Sequence, residues 1–191
     1  MKKEIRILGI DDSSFKKKQI KEILVIATVF RGDSFLDGIL STKIKVDGDD
    51  STKKLIQMIN KTKHKGQLQM IMLNGIALGG FNIIDIKQLS QKTRLPVIVL
   101  MRKYPNIKEI FQALNHLKNP KQKQLLIKKA GKIYEIKIKN KKIYAQLSNI
   151  SLQNAKKIIK ISAIHSLIPE PLRIAHLIAS GISLGENKGR V

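Results

Sequence analysis

The sequence predicts a mixed α/β domain with a five-stranded sheet of strand order 3-2-1-4-5, flanked by helices. Three apolar segments joined by short links come first, which is typical of an antiparallel meander. A later strand–helix–strand pattern indicates a right-handed crossover, which makes strands four and five parallel to strand one. The first strand also ends in two adjacent carboxylates, Asp11 and Asp12, at the edge where α/β sheets bind ligands.

Length and composition favour one globular domain. The chain has 191 residues, enough to bury a full core, and no apolar run approaches the roughly 20 residues that span a bilayer. The first residues show no signal-peptide cleavage site, and the absence of cysteine excludes disulfides and thiolate metal sites. We therefore expect a single cytoplasmic domain over residues 1–191, with a mobile tail from about residue 183, and no membrane partner.

The charge is strongly basic. There are 37 Lys and Arg residues against 14 Asp and Glu, which gives a net charge of +23. A field of this size attracts polyanions, and the excess of lysine over arginine favours phosphate neutralisation over reading of base edges. Nucleic acid, either DNA or RNA, is the partner that this predicts. The alternative is a lysine-rich genome whose proteins are basic for reasons unrelated to binding.

The strands are predicted from runs of apolar residues, and the helices from apolar residues on one face. The first strand begins at Ile5, and the other four cover residues 23–30, 35–46, 68–73 and 97–101. Helices are predicted at 51–64, 82–93 and 105–117, from Ser151 onward, and from Pro169 to Gly181. Residues 119–132 are polar and lysine-rich, and we expect them to form a loose basic segment.

Residues 133–147 predict a hairpin in which tyrosines lie among lysines. Tyr134 and Tyr144 could stack on the bases of a single strand, since aromatic and basic residues together bind single-stranded nucleic acid. An edge hairpin protected from aggregation by lysine explains the same pattern equally well. The candidate residues for nucleic-acid contact here and beside the sheet edge are Arg102, Lys103, Lys137, Lys139 and Lys142.

Several polar side chains follow the predicted strands. Asp11 ends strand one, Asn74 ends strand four, and a cluster of three aspartates, Asp47, Asp49 and Asp50, follows strand three. Strands one and four are predicted as parallel neighbours, so Asp11 and Asn74 should meet at one edge of the sheet. Because neighbouring residues of a strand face opposite ways, Asp12 should then point away from Asp11. Converging carboxylates there could hold one or two divalent cations for phosphodiester hydrolysis, whereas both aspartates could also simply begin a turn.

Several segments, in this order, resemble the ribonuclease H-like fold and, within it, endonuclease V. They are Gly9-Ile10-Asp11, Leu73-Asn74-Gly75, Ile150-Ser151-Leu152, and the run Ile168-Pro169-Glu170-Pro171-Leu172-Arg173-Ile174-Ala175-His176. The chain is still more similar to an archaeal family related to endonuclease V, domain of unknown function 99. The shared motifs are Gly-Ile-Asp-Asp-Ser, Phe-Arg-Gly, Leu-Asp-Gly and Pro-Glu-Pro-Leu-Arg.

The resemblance implies a Mg²⁺- or Mn²⁺-dependent endonuclease acting on modified or structured nucleic acid. It implies catalytic roles for Asp11, Asp50, Asn74 and His176, and a metal site drawn from these residues and Asp47. Asn74 stands where endonuclease V has an aspartate, and the glutamate expected after strand three is absent, with Asp50 or Asp47 nearest. The second hypothesis is therefore a nucleic-acid-binding protein of the same fold with an inactive metal site.

Overall fold

The computed structural model describes residues 5–13, 20–32, 35–138 and 140–187. The strands in these ranges are β1 (Arg6–Asp12), β2 (Glu22–Arg31), β3 (Phe35–Lys45), β4 (Met70–Asn74), β5 (Ala77–Leu78), β6 (Asn82–Ile83), β7 (Val97–Met101), β8 (Tyr134–Ile138) and β9 (Lys141–Ser148). The helices are α1 (Ser51–Lys61), α2 (Ile86–Thr93), α3 (Ile107–Leu114), α4 (Pro120–Lys129), α5 (Leu152–Ser162) and α6 (Glu170–Leu184). Over the ranges described, no helix is long and apolar enough to cross a membrane.

The predicted strand order is confirmed for the five strands that it covered. The main sheet runs β3-β2-β1-β4-β7-β9-β8, so the predicted 3-2-1-4-5 corresponds to its first five members. β1, β2 and β3 pair antiparallel, whereas β4 pairs parallel with both β1 and β7. The hairpin β8–β9 extends this sheet to seven strands, because β9 pairs antiparallel with β7. The sheet is therefore two strands larger than the sequence predicted.

The two faces of the sheet are covered by different helices. On β1, Leu8 and Ile10 pack in the core that contains Leu55 of α1 and Leu89 of α2. Ile7, on the opposite face, packs in the core that contains residues of α5 and α6. Because β1 is buried on both faces, its sequence is continuously apolar and shows no alternation until its polar end.

Residues 119–132 do not form the loose segment that we expected. Pro120–Lys129 is the helix α4, and Pro120 occupies its first turn, where the missing proline N–H does no harm. Ile127 is buried in a cluster with Ile83 of β6 and Leu114 of α3. The helix has few apolar residues, so its periodicity is hidden among lysines and glutamines.

Two helix boundaries also differ from the prediction. The helix predicted at 82–93 begins only at Ile86, because residues 77–83 form the small β5–β6 hairpin. Asp85 caps α2 by accepting hydrogen bonds from the backbone N–H groups of Lys87 and Gln88. The last helix continues past Gly181 to Leu184 and ends at Gly185, which has a φ of 79°. Residues 183 and 184, assigned to a mobile tail from the sequence, are therefore helical.

Candidate functional site at the sheet edge

Strand register places Asp11 and Asn74 on one side of the sheet edge. β1 and β4 are parallel, with Ile10 opposite Leu73, so the two polar residues follow at the same level. Both residues lie on the face that α5 and α6 cover, since Ile7 of β1 and Met72 of β4 belong to that core. Arg102 directly follows the third parallel strand, β7. It is two residues after Leu100, which faces α5 and α6, so alternation places Arg102 on the same face.

The helix α6 brings His176 to this edge. Gly9 lies so close to Pro171 that a Cβ atom on it would be 2.3 Å from the Pro171 carbonyl carbon. The Thr28 hydroxyl donates a hydrogen bond of 2.6 Å to the Pro171 carbonyl oxygen and holds the helix there. From Pro171 to His176 the helix advances five residues, and from Gly9 to Asp11 the strand advances two residues. Both distances are roughly 7 Å. His176 therefore lies over Asp11.

Asp11 is the centre of a compact polar cluster, although only 3% of its surface is exposed. Its Oδ2 atom lies 2.9 Å from Nδ1 of His176 and accepts a hydrogen bond of 2.9 Å from the Asn74 side-chain amide. Its Oδ1 accepts the backbone N–H of Asp12 at 2.9 Å. Both carboxylate oxygens are thus satisfied, which a buried carboxylate requires. We call Asp11, Asn74 and His176 the Asp11 cluster.

The Asp11 carboxylate controls the state of the His176 ring. Its hydrogen bond raises the pKa of His176, while partial burial of the ring and the Arg102 charge oppose that shift. With Nδ1 bonded to Asp11, the other ring nitrogen, Nε2, is the one that can exchange a proton or bind a ligand. The His176 side chain is 31% exposed, so part of the ring is accessible from solvent.

Asp12 faces the opposite side of the sheet. Its Oδ2 accepts a hydrogen bond of 2.7 Å from the backbone N–H of Gly79, in the loop between β5 and β6. Burial, together with the charge of Asp11, raises the pKa of Asp12 to about 6, although the Gly79 hydrogen bond works against this. Asp12 thus anchors the loop and does not join the Asp11 cluster.

The predicted roles of Asp47 and Asp50 in the metal site stay predictions, and the structure shows the contacts of both carboxylates. Asp50 Oδ1 accepts hydrogen bonds from the side-chain amide of Asn82, at 2.7 Å, and from the backbone N–H of Lys45. Asp47 Oδ1 accepts the backbone N–H of Phe81 at 2.8 Å. Both carboxylates are engaged in fixing the turn after β3 to the β5–β6 hairpin. The structure brings Asp11, Asn74 and His176 into direct contact, whereas the hydrogen bonds of Asp47 and Asp50 are made within this turn and with the hairpin.

A buried lysine of α4, Lys123, reaches the same turn and was not predicted as a functional residue from the sequence. Only 1% of Lys123 is exposed, and its ammonium group donates to the carbonyl oxygens of Asp47, Gly48 and Phe81 at 2.5–3.2 Å. It also lies 2.6 Å from a carboxylate oxygen of Asp49. Lys123 precedes the buried Ile127 by one helical turn, and this spacing was the available signal.

The Asp11 cluster can offer a cation one carboxylate, one amide oxygen and one imidazole nitrogen. Across the described residues, no group of three or more Asp, Glu, His or Cys side chains is placed to hold a metal ion. Mg²⁺ commonly binds through one or two carboxylates, with water and substrate phosphate completing its shell. The donor set therefore fits a single divalent cation, and it does not fit two cations bridged by carboxylates.

Basic residues lie beside the cluster and along the hairpin. Arg102 borders a groove of about 520 Å³ together with Lys141 and Arg173. Lys137 and Lys142 are opposite each other in the β8–β9 hairpin, and Lys142 forms a 3.0 Å ion pair with Glu135. Lys103 is exposed just after Arg102, whereas Lys139 lies outside the described residues.

Solved structures share this fold. A crystal structure of an Archaeoglobus fulgidus protein of unknown function matches with a TM-score of 0.85 and 38% identity, covering 94% of this chain and 98% of that one. Ciona intestinalis endonuclease V, in complex with DNA containing an inosine, matches with a TM-score of 0.57 and 19% identity, over 91% of this chain and 83% of that one. The latter similarity confirms the ribonuclease H-like fold.

Sequence relatives cover nearly the whole chain. A UPF0215 protein of Methanothermobacter thermautotrophicus is 46% identical over 99% of this chain and 93% of its own length. A UPF0215 protein of Pyrococcus furiosus is 40% identical over 98% of this chain and 96% of its own length. The family model described as Endonuclease dU matches residues 3–183. The chain therefore belongs to the endonuclease dU family.

Proposed function

We propose that this protein is a divalent-metal-dependent endonuclease that acts on modified or structured nucleic acid at the Asp11 cluster. The observation that carries the proposal is a buried carboxylate, Asp11, hydrogen-bonded to a solvent-accessible histidine at the carboxyl ends of parallel strands. This edge is where open α/β sheets bind their ligands. The net charge of +23 supports a polyanionic substrate.

The protein's own groups have distinct roles in this proposal. Asp11 holds the His176 ring through Nδ1, which leaves Nε2 to exchange a proton with the attacking water or the leaving oxygen. Asn74 fixes the Asp11 carboxylate through a hydrogen bond. In the proposal, Arg102 attracts the substrate phosphate. A cation held by Asp11 and Asn74 would supply activation of water and stabilisation of the leaving oxygen. If Nε2 of His176 were a third ligand, that nitrogen would bind the cation in place of exchanging a proton.

The family description narrows the substrate. The name endonuclease dU favours DNA that contains deoxyuridine as the modified nucleic acid. Ciona endonuclease V, which shares the fold, was crystallised with DNA containing an inosine, another deaminated base. We therefore take deoxyuridine as the first substrate to test and inosine as the second.

One observation favours the second candidate, a nucleic-acid-binding protein with an inactive metal site. Asn74 turns its amide N–H toward Asp11, so it supplies a hydrogen-bond donor where a carboxylate would supply a second negative charge. A cation there must displace this hydrogen bond and that of His176. If a cation cannot displace these hydrogen bonds, we expect the protein to bind nucleic acid without cleaving it.

A cleavage assay separates the two candidates. Labelled DNA carrying one deoxyuridine, one inosine or no modification is incubated with the protein in Mg²⁺, Mn²⁺ or EDTA. The proposal expects metal-dependent strand cleavage of a modified substrate that Asp11→Asn abolishes and that Asn74→Asp increases. Glu22→Gln, an exposed site with the same change of charge, should cleave like wild type. If only Asn74→Asp cleaves, the wild-type protein is the binding protein.

The salt dependence of the affinity tests whether the protein binds nucleic acid through its basic residues. Neutralised phosphates release counterions, so affinity for a DNA or RNA oligonucleotide should fall steeply between low and moderate salt. Arg102→Gln and Lys103→Gln should each reduce the slope by about one. No binding at low salt, or a flat response, would mean that the basic composition has no role in nucleic-acid recognition.

A further inference from the structure

A solvent-exposed pair of tyrosines lies beside the sheet edge. Tyr104 is 61% exposed, and its ring packs against Tyr144 with centroids 5.4 Å apart and planes at 84°. This edge-to-face contact is a favourable arrangement of two aromatic rings. It fixes the orientation of Tyr104 while leaving much of the ring in contact with water.

The backbone also fixes Tyr104 in place. The following residue is Pro105, which restricts Tyr104 to an extended conformation, and Tyr144 is opposite Met101 in the pairing of β7 with β9. An exposed aromatic ring that is held by a neighbouring ring and by its own backbone loses little conformational entropy when a planar ligand stacks on it. Tyr104 is thus pre-organised for stacking.

The pair lies at the same edge of the sheet as the Asp11 cluster. Tyr144 faces the other side of the sheet, because it is opposite Met101, the neighbour of Leu100 on the α5-covered face. Arg102 precedes Tyr104 by two residues, so their Cα atoms are at most about 7.6 Å apart. The charge of Arg102 acts on the pKa of His176, which places this arginine within electrostatic range of the Asp11 cluster. A strand with one phosphate at Arg102 could therefore cross this edge and present a neighbouring base to Tyr104.

Basic groups surround the pair on the same face of the hairpin. Tyr144 is opposite Glu135, and Lys142 is opposite Lys137, so these side chains share one face, the face opposite the one that α5 covers. Glu135 is the acidic member and is already paired with Lys142. Lys103 adds an exposed positive charge beside Tyr104. Aromatic rings bordered by lysines are the arrangement that binds single strands without reading their sequence.

We propose that Tyr104, supported by Tyr144, is a stacking platform for an unpaired nucleobase of the strand that reaches the Asp11 cluster. This inference rests on the proposed nucleic-acid function and assigns it a specific contact. The ligand chemistry is the face of a base, which DNA and RNA share. The platform binds a base that flanks the scissile phosphate, and takes no part in the bond cleavage itself.

The chain's composition provides a direct reporter. It contains no tryptophan, so Tyr104→Trp creates a single fluorophore at the platform and retains an aromatic face. We expect single-stranded homopyrimidine DNA or RNA to quench this fluorescence on binding. The measurement is made in EDTA with the additional change Asp11→Asn, so that cleavage does not contribute. An oligonucleotide of abasic residues should bind without comparable quenching.

Affinities of unlabelled variants test the energy of stacking. Tyr104→Leu keeps an apolar side chain but removes the π face, and it should weaken binding of a base-containing strand by between about 5- and 150-fold. Its salt slope should equal that of wild type, because no phosphate contact is lost. Tyr104→Phe, which keeps the aromatic face, should bind like wild type.

The outcomes distinguish the platform from the function on which it rests. If wild type binds nucleic acid and Tyr104→Leu binds it equally well, the platform is wrong and the proposed function stands. If Tyr104→Leu weakens binding of the abasic strand as much as binding of the base-containing strand, the platform is also wrong. The ring would then contribute through packing within the protein and not through stacking on a base. If wild type binds no nucleic acid at low salt, both proposals fail. Weakening with DNA, with RNA or with both supports the platform and identifies the strand that reaches it.

Discussion

Gly9 of β1 and Pro171 of α6 are in backbone contact that leaves no room for a side chain. A Cβ atom at position 9 would lie 2.3 Å from the Pro171 carbonyl carbon and 2.5 Å from its oxygen. That oxygen also accepts the hydroxyl hydrogen of the buried Thr28. The contact determines how closely α6 approaches the sheet, and therefore where His176 lies relative to Asp11.

Gly9→Ala should consequently destabilise the protein and separate His176 from Asp11. The extra methyl group meets backbone atoms that cannot rotate away, so α6 must move, at a cost of about 1–3 kcal/mol in the free energy of unfolding. Urea denaturation measures this loss. Gly66→Ala is the matched control, since a Cβ at Gly66 has no atom within 4 Å. Equal stability of the two variants would show that α6 does not depend on this close approach.

Lys123→Met should destabilise the turn after β3 without changing the size of the side chain. The methionine leaves three carbonyl oxygens and the Asp49 carboxylate without their ammonium donor. We expect the free energy of unfolding to fall by about 3 kcal/mol or more. Lys121→Met, at an exposed position of the same helix, should change it by less than about 0.5 kcal/mol. Similar denaturation midpoints for both variants would contradict a structural role for Lys123.

Much of the fold follows from local patterns in the sequence. Apolar runs and short links were sufficient for the order of the first five strands, because both reflect local geometry and the crossover rule. The pairing of β9 with β7 was not predictable, since alternation in a hairpin does not reveal which edge it joins. The helix α4 was missed because its buried residues include a lysine.

The candidate site could likewise be predicted only in part from the sequence. Asp11 and Asn74 could be placed together from strand alternation and parallel pairing, which are properties of the backbone. The contacts of Asp47 and Asp50 could not be predicted from the sequence, because their partners are a backbone N–H of Phe81 and the side chain of Asn82. Only the folded turn shows that these carboxylates are already engaged.

Asp12→Asn should stabilise the protein at neutral pH. The pKa of Asp12 is raised from 3.8 to about 6 in the folded state, so folding favours its protonated form. Its contribution to stability is therefore highest below pH 4, falls as the pH rises toward 6, and then stays constant. Asparagine can still accept the Gly79 N–H and carries no charge, so the variant should gain roughly 2 kcal/mol over wild type at pH 7.

The pH dependence provides the check on this prediction. Urea denaturation in EDTA at pH 4 and pH 7 should show the two proteins nearly equal at the lower pH and different at the higher one. Glu22→Gln, at the exposed start of β2, should follow wild type at both values. A difference between Asp12→Asn and wild type that is the same at both pH values would mean that the burial of a charge is not its cause.

A divalent cation should stabilise the folded protein through Asp11. A ligand that binds only the folded state raises the free energy of unfolding by about 2.7 kcal/mol at 100 times its dissociation constant. Thermal melts in Mg²⁺ or Mn²⁺ should therefore show a higher Tm than melts in EDTA for wild type. Asp11→Asn removes the buried carboxylate and should abolish the increase, whereas Asp12→Asn, on the opposite face, should retain most of it. Asn74→Asp, which adds a second carboxylate beside the first, should enlarge it. If wild type and Asp11→Asn respond alike to the cation, Asp11 is not a metal ligand and the protein binds nucleic acid without cleaving it.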